Sequence, residues 1–338
     1  MTGRPDILEA ALVSEDLLTF LSSRPSHAFR LHSAFKRSLN LQTEQGQLVT
    51  LTEGQSDLVP MGLTLSGRLG NWSLKAGEEW IYEDETFLLP GGRARIRLGR
   101  AQIRRTCLDG PLATVGQGRG QALGLIRQAL LAWQGPGLAE LAAILPLGDD
   151  RETARPFNLY SAYILNDLSL FLRALEVNDL DRAGELTGRL VGFGPGLTPS
   201  CDDFLSAILL SLFYEADPGR HPGLDHFLET VCLTAQKKTN LVSSQMLCHA
   251  ARGHAAVSHL EVLEALFSGD RDAMPQLISN LLAYGASSGA DFLLGLYCAG
   301  VLMPPENVAG GRAQEKYRPV GKGWIGRPQE SIVKGECQ

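Results

Sequence analysis

Between residues 192 and 204 the chain reads GFGPGLTPSCDDF, placing three glycines, two prolines, two hydroxyl residues and two carboxylates directly before an apolar run. A stiffened, glycine-rich turn that opens a helix leaves the first N–H groups unpaired at the positive end of the helix dipole. That arrangement holds phosphate or carboxylate. Gly194, Gly196, Thr198 and Ser200 are therefore candidate anion-binding residues. No Gly-Lys-Ser/Thr follows, and GFGPG is not the GxGxxG fingerprint, so nucleotide binding is not supported.

The carboxylates divide. Ser200 and Asp203 stand in the S-x-x-D relation of a capping box, in which both side chains only close the helix end. Asp202 has no capping duty, and a carboxylate beside an anion loop weakens binding unless it holds a metal, a cationic group or a proton. Asp202, with Asp203 if it is free of the cap, is the catalytic candidate. Asp202 is also the metal candidate, with Mg2+ the one cofactor that would suit it.

A second segment, Ser288-Gly289-Ala290-Asp291-Phe292-Leu293, repeats the frame of Ser200-Cys201-Asp202-Asp203-Phe204-Leu205 at four of six positions, so two helices are expected to begin alike. Thr239-Asn240-Leu241-Val242-Ser243-Ser244 opens a third. If the three starts converge, Thr239, Ser243, Ser287, Ser288 and Asp291 line one pocket with the loop; the competing reading is three ordinary N-caps. The basic, hydroxyl-rich run HSAFKRSLN could add Lys36, Arg37 and Asn40 to an anion, although an isolated pair of cations is more often a solvated face.

Other signals weaken on inspection. Gly285-Ala286-Ser287-Ser288-Gly289 matches G-x-S-x-G, but PQLISNLLAY before it reads as helix where a nucleophile elbow needs a strand. Cys201 could be a thiolate at a helix start, but Asp202 and Asp203 oppose its charge. His249, His254 and His259 recur every five residues, which turns about 140° per step and gives no shared ligand face.

These residues need elements to hold them. Residues 7–21 carry apolar side chains at roughly helical spacing, so an N-terminal helix is expected in 1–25. In 26–117, Val49, Leu51, Leu63, Leu65, Trp72, Leu74, Ile96 and Leu98 alternate with polar residues between Gly-rich turns, predicting short antiparallel strands. Residues 118–303 read as helices, including spans near 121–133, 159–176 and 181–190, and 304–338 read as a mobile tail. The fold class expected is α+β: an N-terminal β-rich antiparallel module followed by a mostly α-helical domain.

The 338 residues are 44% hydrophobic and 20% charged, with a net charge of -6 and dispersed Lys and Arg, so the chain folds by burial and offers no basic face to nucleic acid. The longest apolar run is far short of the ~20 residues of a membrane span, and no basic n-region precedes an apolar start. Six cysteines are scattered without C-x-x-C pairs, as expected of reduced thiols in the cytoplasm.

Together, GFGPGLTPSCDDF, TNLVSSQML, GASSGADFLLG and HSAFKRSLNL resemble the bacterial family of unknown-function proteins that includes the third subunit of oxamate carbamoyltransferase, over residues 26–301. Cys201 and Ser206 stand where that pattern has glycine, and Ala286 where it often has histidine. The resemblance implies purine-ring nitrogen salvage by three different chains, in which oxalurate and phosphate give oxamate and carbamoyl phosphate. Its implied partners are small anions (phosphate, carbamoyl phosphate, oxalurate) and other carbamoyltransferase subunits or further copies of this chain. Two alternatives remain: a non-catalytic small-acid-binding or assembly subunit, and a stand-alone enzyme on small carboxylic acids.

Overall fold

The computed structural model describes residues 6–302 apart from 55, 71, 73, 113–117, 147–156 and 216–222. The expected tail lies outside the described residues.

The first part is a closed barrel built from β1 (Asp6–Ser14), β2 (Ser26–Ala34), β3 (Ser38–Thr43), β4 (Leu48–Glu53), β5 (Gly62–Leu65), β6 (Glu79–Glu83), β7 (Thr86–Leu88) and β8 (Ala94–Arg97), with β9 (Gln102–Arg104) added beside β1. The order β5-β4-β3-β2-β6-β7-β8-β1 closes through β1–β5 pairing, which leaves the barrel strands without a free edge. Period-two patterning sets the inside: His27, Phe29 and Leu31 of β2 and Trp80 and Tyr82 of β6 point into the core. A short helix, α1 (Glu15–Leu21), buries Leu17 and Leu21 in the same core.

Two expectations change here. Residues 7–21 are not one helix: 6–14 form β1, because pairing with β8 on one side and β5 on the other satisfies its backbone and buries Ala10 and Val13. Tertiary pairing outweighs local periodicity. The barrel also contains parallel pairs, β1 with β8 and β9 and β4 with β5, beside the antiparallel ones. Trp72 and Leu74 sit in the β5–β6 connection rather than in a strand; Trp72 is buried, and its Nε1–H donates to Asp6 at 2.9 Å.

The second part contains α2 (Arg119–Ala132), α3 (Leu159–Glu176), α4 (Leu180–Leu190), α5 (Ser200–Glu215), α6 (Leu224–Lys238), α7 (Leu241–Ala250), α8 (Val257–Ser268), α9 (Met274–Leu282) and α10 (Ser288–Leu302). The sequence places α3 and α4 within a residue of these bounds. Helices α5 and α10 are apolar on nearly every side and form the buried centre. They touch closely at Gly295, where a Cβ would lie 2.2 Å from the Phe204 carbonyl oxygen. Contacts joining the two parts include those of Gln245 of α7, which accepts from Leu48 N–H and donates to the Gly46 carbonyl, each at 2.8 Å, and those of Val257 N–H with the Leu58 carbonyl and Ser258 with Asp57.

Candidate functional site

Residues 192–199 link α4 to α5 through glycines at positive φ: 82° at Gly192, 117° at Gly194 and 104° at Gly196. A Cβ at Gly194 would stand 2.6 Å from the Ser200 nitrogen, so only glycine lets the turn fold back on the helix start. Two contacts tie the loop down. Asn240, the N-cap of α7, donates from Nδ2 to the Leu197 carbonyl at 2.6 Å, and the Thr198 hydroxyl meets the Ser288 hydroxyl of α10 at 2.8 Å. The starts of α5, α7 and α10 therefore meet at this loop.

Much of the donor inventory is already used. Cys201 N–H donates to Phe193 O, Asp202 and Asp203 N–H to Pro199 O, Ser243 N–H to Asn240 Oδ1, and Gly289 N–H to Tyr284 O. The loop's own N–H groups at Gly194, Gly196, Leu197 and Thr198 bond to nothing among the described residues. The donors open to a ligand therefore include the N–H groups of the loop.

Asp202 does not have the role its sequence position suggests. It is fully buried; Oδ1 accepts from Gly192 N–H at 2.7 Å, and Oδ2 accepts from the hydroxyls of Thr239 and Ser243, both at 2.6 Å. Burial raises its pKa, and these three donors oppose the rise. The carboxylate clamps the loop to α7, and in doing so it consumes Thr239 and Ser243, two of the expected ligand contacts. Among the described residues no group of three or more His, Cys, Asp or Glu side chains is arranged to hold a metal, and both Asp202 oxygens are taken up by protein donors.

The capping box does not form either. Ser200 is the first helical residue, and its buried Oγ has no hydrogen-bond partner. Asp203 is buried beside it, and its Oδ2 is also without a partner. On α10, Asp291 repeats the situation: Oδ1 accepts from Leu138 N–H at 2.6 Å, and buried Oδ2 is unpartnered. Burial first, and then the Asp291 charge, raise the Asp203 pKa well above the carboxylate range. Burial also raises Asp291 to about 6, against the Leu138 N–H and the nearby Ser200 and Ser287 hydroxyls. Two acids at equivalent positions of adjoining helices thus favour a protonated state.

Lys36, Arg37 and Asn40 are not brought to this site. Lys36 and Arg37 lie in the β2–β3 turn, at the opposite end of β3 from the residues that touch α7. Asn40 is buried in the barrel, donating to Ser33 Oγ and accepting from Thr50 Oγ1. G-x-S-x-G joins α9 to α10, helix to helix, as expected. His259 packs on Phe292 with ring centroids 4.2 Å apart, a core contact. Cys201 is a buried packing residue, and Ser206 donates to the Asp203 carbonyl. Sequence reasoning missed Gly137 and Leu138. A Cβ at Gly137 would lie 2.5 Å from Asp291 Oδ1, and the signal for this contact was present as Gly135-Pro136-Gly137-Leu138, a copy of Gly194-Pro195-Gly196-Leu197.

Comparison with known families matches the model described as "Oxamate carbamoyltransferase subunit AllH" to residues 190–300, and "AllH family N-terminal domain" to residues 9–103. The chain belongs to the AllH family. The first AllH match begins just before the glycine-rich loop and ends within α10, so it contains the loop and the starts of α5, α7 and α10, though not Leu138, which bonds Asp291; the second covers nearly all of the barrel. No solved structure matches the chain. Among the described residues no helix is long and apolar enough to cross a membrane.

Proposed function

We propose that this AllH-family chain works in the cytoplasm as a subunit of an enzyme that joins oxalurate and phosphate to give oxamate and carbamoyl phosphate, and that residues 194–198 bind one of the small anions. The observation that carries this reading is the meeting of three helix starts on a loop whose N–H groups at Gly194, Gly196, Leu197 and Thr198 are free. Fixed N–H donors of this kind stabilise charge on an anion or on a carbonyl oxygen under attack. In the transfer, a phosphate oxygen bonds to the carbamoyl carbon, the bond from that carbon to the inner nitrogen breaks, and the phosphate proton ends on that nitrogen. Asp203, whose pKa burial and the Asp291 charge push upward, is suited to give a proton to the nitrogen and regain one from phosphate.

The test is co-expression with the companion subunits and assay of carbamoyl phosphate from oxalurate and phosphate, with Gly196→Ala as the loop variant. A Cβ at Gly196 would meet the Thr198 carbonyl oxygen at an ordinary 3.7 Å, but φ is 104°, so the change distorts the loop rather than the core. Loss of most activity is expected. A wild-type complex that makes no carbamoyl phosphate would remove the reaction, and a fully active Gly196→Ala complex would remove the loop from it.

A second reading, an assembly subunit whose loop is covered by a companion chain, is favoured by the apolar surface beside the loop. Tyr163 is 75% exposed and stacks on Phe193 at 5.4 Å, while Leu159 is 88% and Leu197 45% exposed.

A further inference from the structure

The helical part contains one motif twice. Gly135-Pro136-Gly137-Leu138 repeats Gly194-Pro195-Gly196-Leu197; Asn158-Leu159-Tyr160-Ser161 repeats Asn240-Leu241-Val242-Ser243; and the start of α10 repeats that of α5. The geometry repeats as well. Gly137 and Gly196 hold φ of 105° and 104°. Asn158 caps α3 by accepting from Ser161 N–H at 2.9 Å, as Asn240 caps α7 by accepting from Ser243 N–H at 3.1 Å. Each asparagine also donates to its own loop, Asn158 to the Gly137 carbonyl at 2.9 Å and Asn240 to the Leu197 carbonyl at 2.6 Å. Asp291 and Asp203 stand at the same position of α10 and α5, and each has one unpartnered buried oxygen.

The copies differ in two contacts: Leu138 N–H bonds to Asp291 whereas Leu197 N–H bonds to nothing among the described residues, and a serine partner is missing from one copy. In the copy around α5, Asp202 accepts the Ser243 hydroxyl. The matching residue of α10 is Ala290, and the matching hydroxyl, Ser161 Oγ, is fully buried with no hydrogen-bond partner. A buried hydroxyl without a partner costs stability, so it is retained at a disadvantage unless something binds it. Gly137 N–H is likewise bonded to no group among the described residues. In one copy a carboxylate of the chain itself satisfies the serine; in the other, no described group of the chain does.

We propose that Gly137, Ser161 and Asp291 form a second small-acid subsite, in which the ligand's oxygen takes the part that Asp202 plays in the other copy. This deepens the proposed function and rests on it for the identity of the ligands: a reaction between two anions needs two subsites, and the duplicated motif supplies them on either side of the Asp203–Asp291 pair.

The test is calorimetric titration of the full chain, alone and with its companion subunits, using oxamate and inorganic phosphate as probes. Two ligands should bind per chain. Ser161→Ala should weaken one of them about tenfold while leaving the unfolding midpoint unchanged or higher, since it removes an unpartnered group. Ala290→Asp should place a carboxylate against Ser161, raise the midpoint and abolish that same binding event. One ligand or none per chain in the assembled complex, or unchanged binding in both variants, would overturn the proposal. Two ligands with the expected variant effects, but no carbamoyl phosphate from the complex, would uphold the subsite and remove only the reaction.

Discussion

Asp202 offers the sharpest perturbation of the fold around the loop. Its carboxylate accepts three hydrogen bonds of 2.6–2.7 Å with no exposure to solvent. Hydrogen bonds to a charged group contribute roughly 1.5 kcal/mol or more each, so Asp202→Ala should cost about 4 kcal/mol by removing the acceptor and stranding Gly192 N–H. That is a large share of the ~5–15 kcal/mol that holds a domain together. Asp202→Asn should cost much less, about 1–2 kcal/mol. Its carbonyl can keep the Gly192 bond, and its amide can donate to the Thr239 and Ser243 hydroxyls, which accept as readily as they donate. The assay is urea unfolding with the slope monitored, together with hydrogen exchange at the Gly192 amide, which should lose protection in Asp202→Ala. A double-mutant cycle with Ser243→Ala should show coupling of about 1 kcal/mol. An Asp202→Ala midpoint within about 0.5 kcal/mol of wild type would refute the clamp.

Three further outcomes follow from the packing. Gly295→Ala puts a methyl 2.2 Å from the Phe204 carbonyl oxygen and should destabilise by about 1–3 kcal/mol; a neutral result in denaturant unfolding would show that α5 and α10 can part freely. Gln245→Ala removes both bonds to the β3–β4 turn and should lower stability by about 1–2 kcal/mol while leaving the Trp80 environment of the barrel core unchanged by fluorescence. Because folding raises Asp291 from 3.8 to about 6, its contribution is fully present below pH ~3.8 and is lost as pH rises through about 6, an effect of about 3 kcal/mol. Asp291→Asn should flatten that decline, and an unchanged pH profile of the unfolding midpoint would count against a raised Asp291.

The glycine-rich loop, the helix after it and the echo at α10 were legible because turn chemistry and helix starts are local signals. The division of labour between Asp202 and Asp203 was not. A capping argument looks only along the helix, whereas Asp202 is held by donors 37 and 41 residues away. β1 was misread for a related reason: its partners β5 and β8 lie far along the chain, and their pairing outweighed an apolar spacing that also fits a helix. The full duplication was hidden by its irregular spacing. Asn158 follows Gly135 by 23 residues and Asn240 follows Gly194 by 46, and the helix starts that complete the two copies come in a different chain order. The nearness of the Cys232 and Cys248 thiols on α6 and α7 was beyond any spacing rule.

The two adjacent aspartates also show how a carboxyl-rich site can be compatible with anions. Successive helical residues diverge by about 100°, so Asp202 and Asp203 enter different surroundings although their backbones touch. Asp202 meets an N–H and two hydroxyls, which together match an ionised carboxylate, and its charge is spent inside the protein. Asp203 has the Ser288 and Thr198 hydroxyls beside it, but burial and the Asp291 charge outweigh them. It is buried against a second acid, and two carboxylates in that position cannot both ionise cheaply. A proton on the pair turns an acceptor oxygen into a donor and lowers the negative charge beside the loop. In the transfer we propose between two anions, the proton to be moved is one this pair is placed to hold, which ties the proposed chemistry to the burial of Asp203.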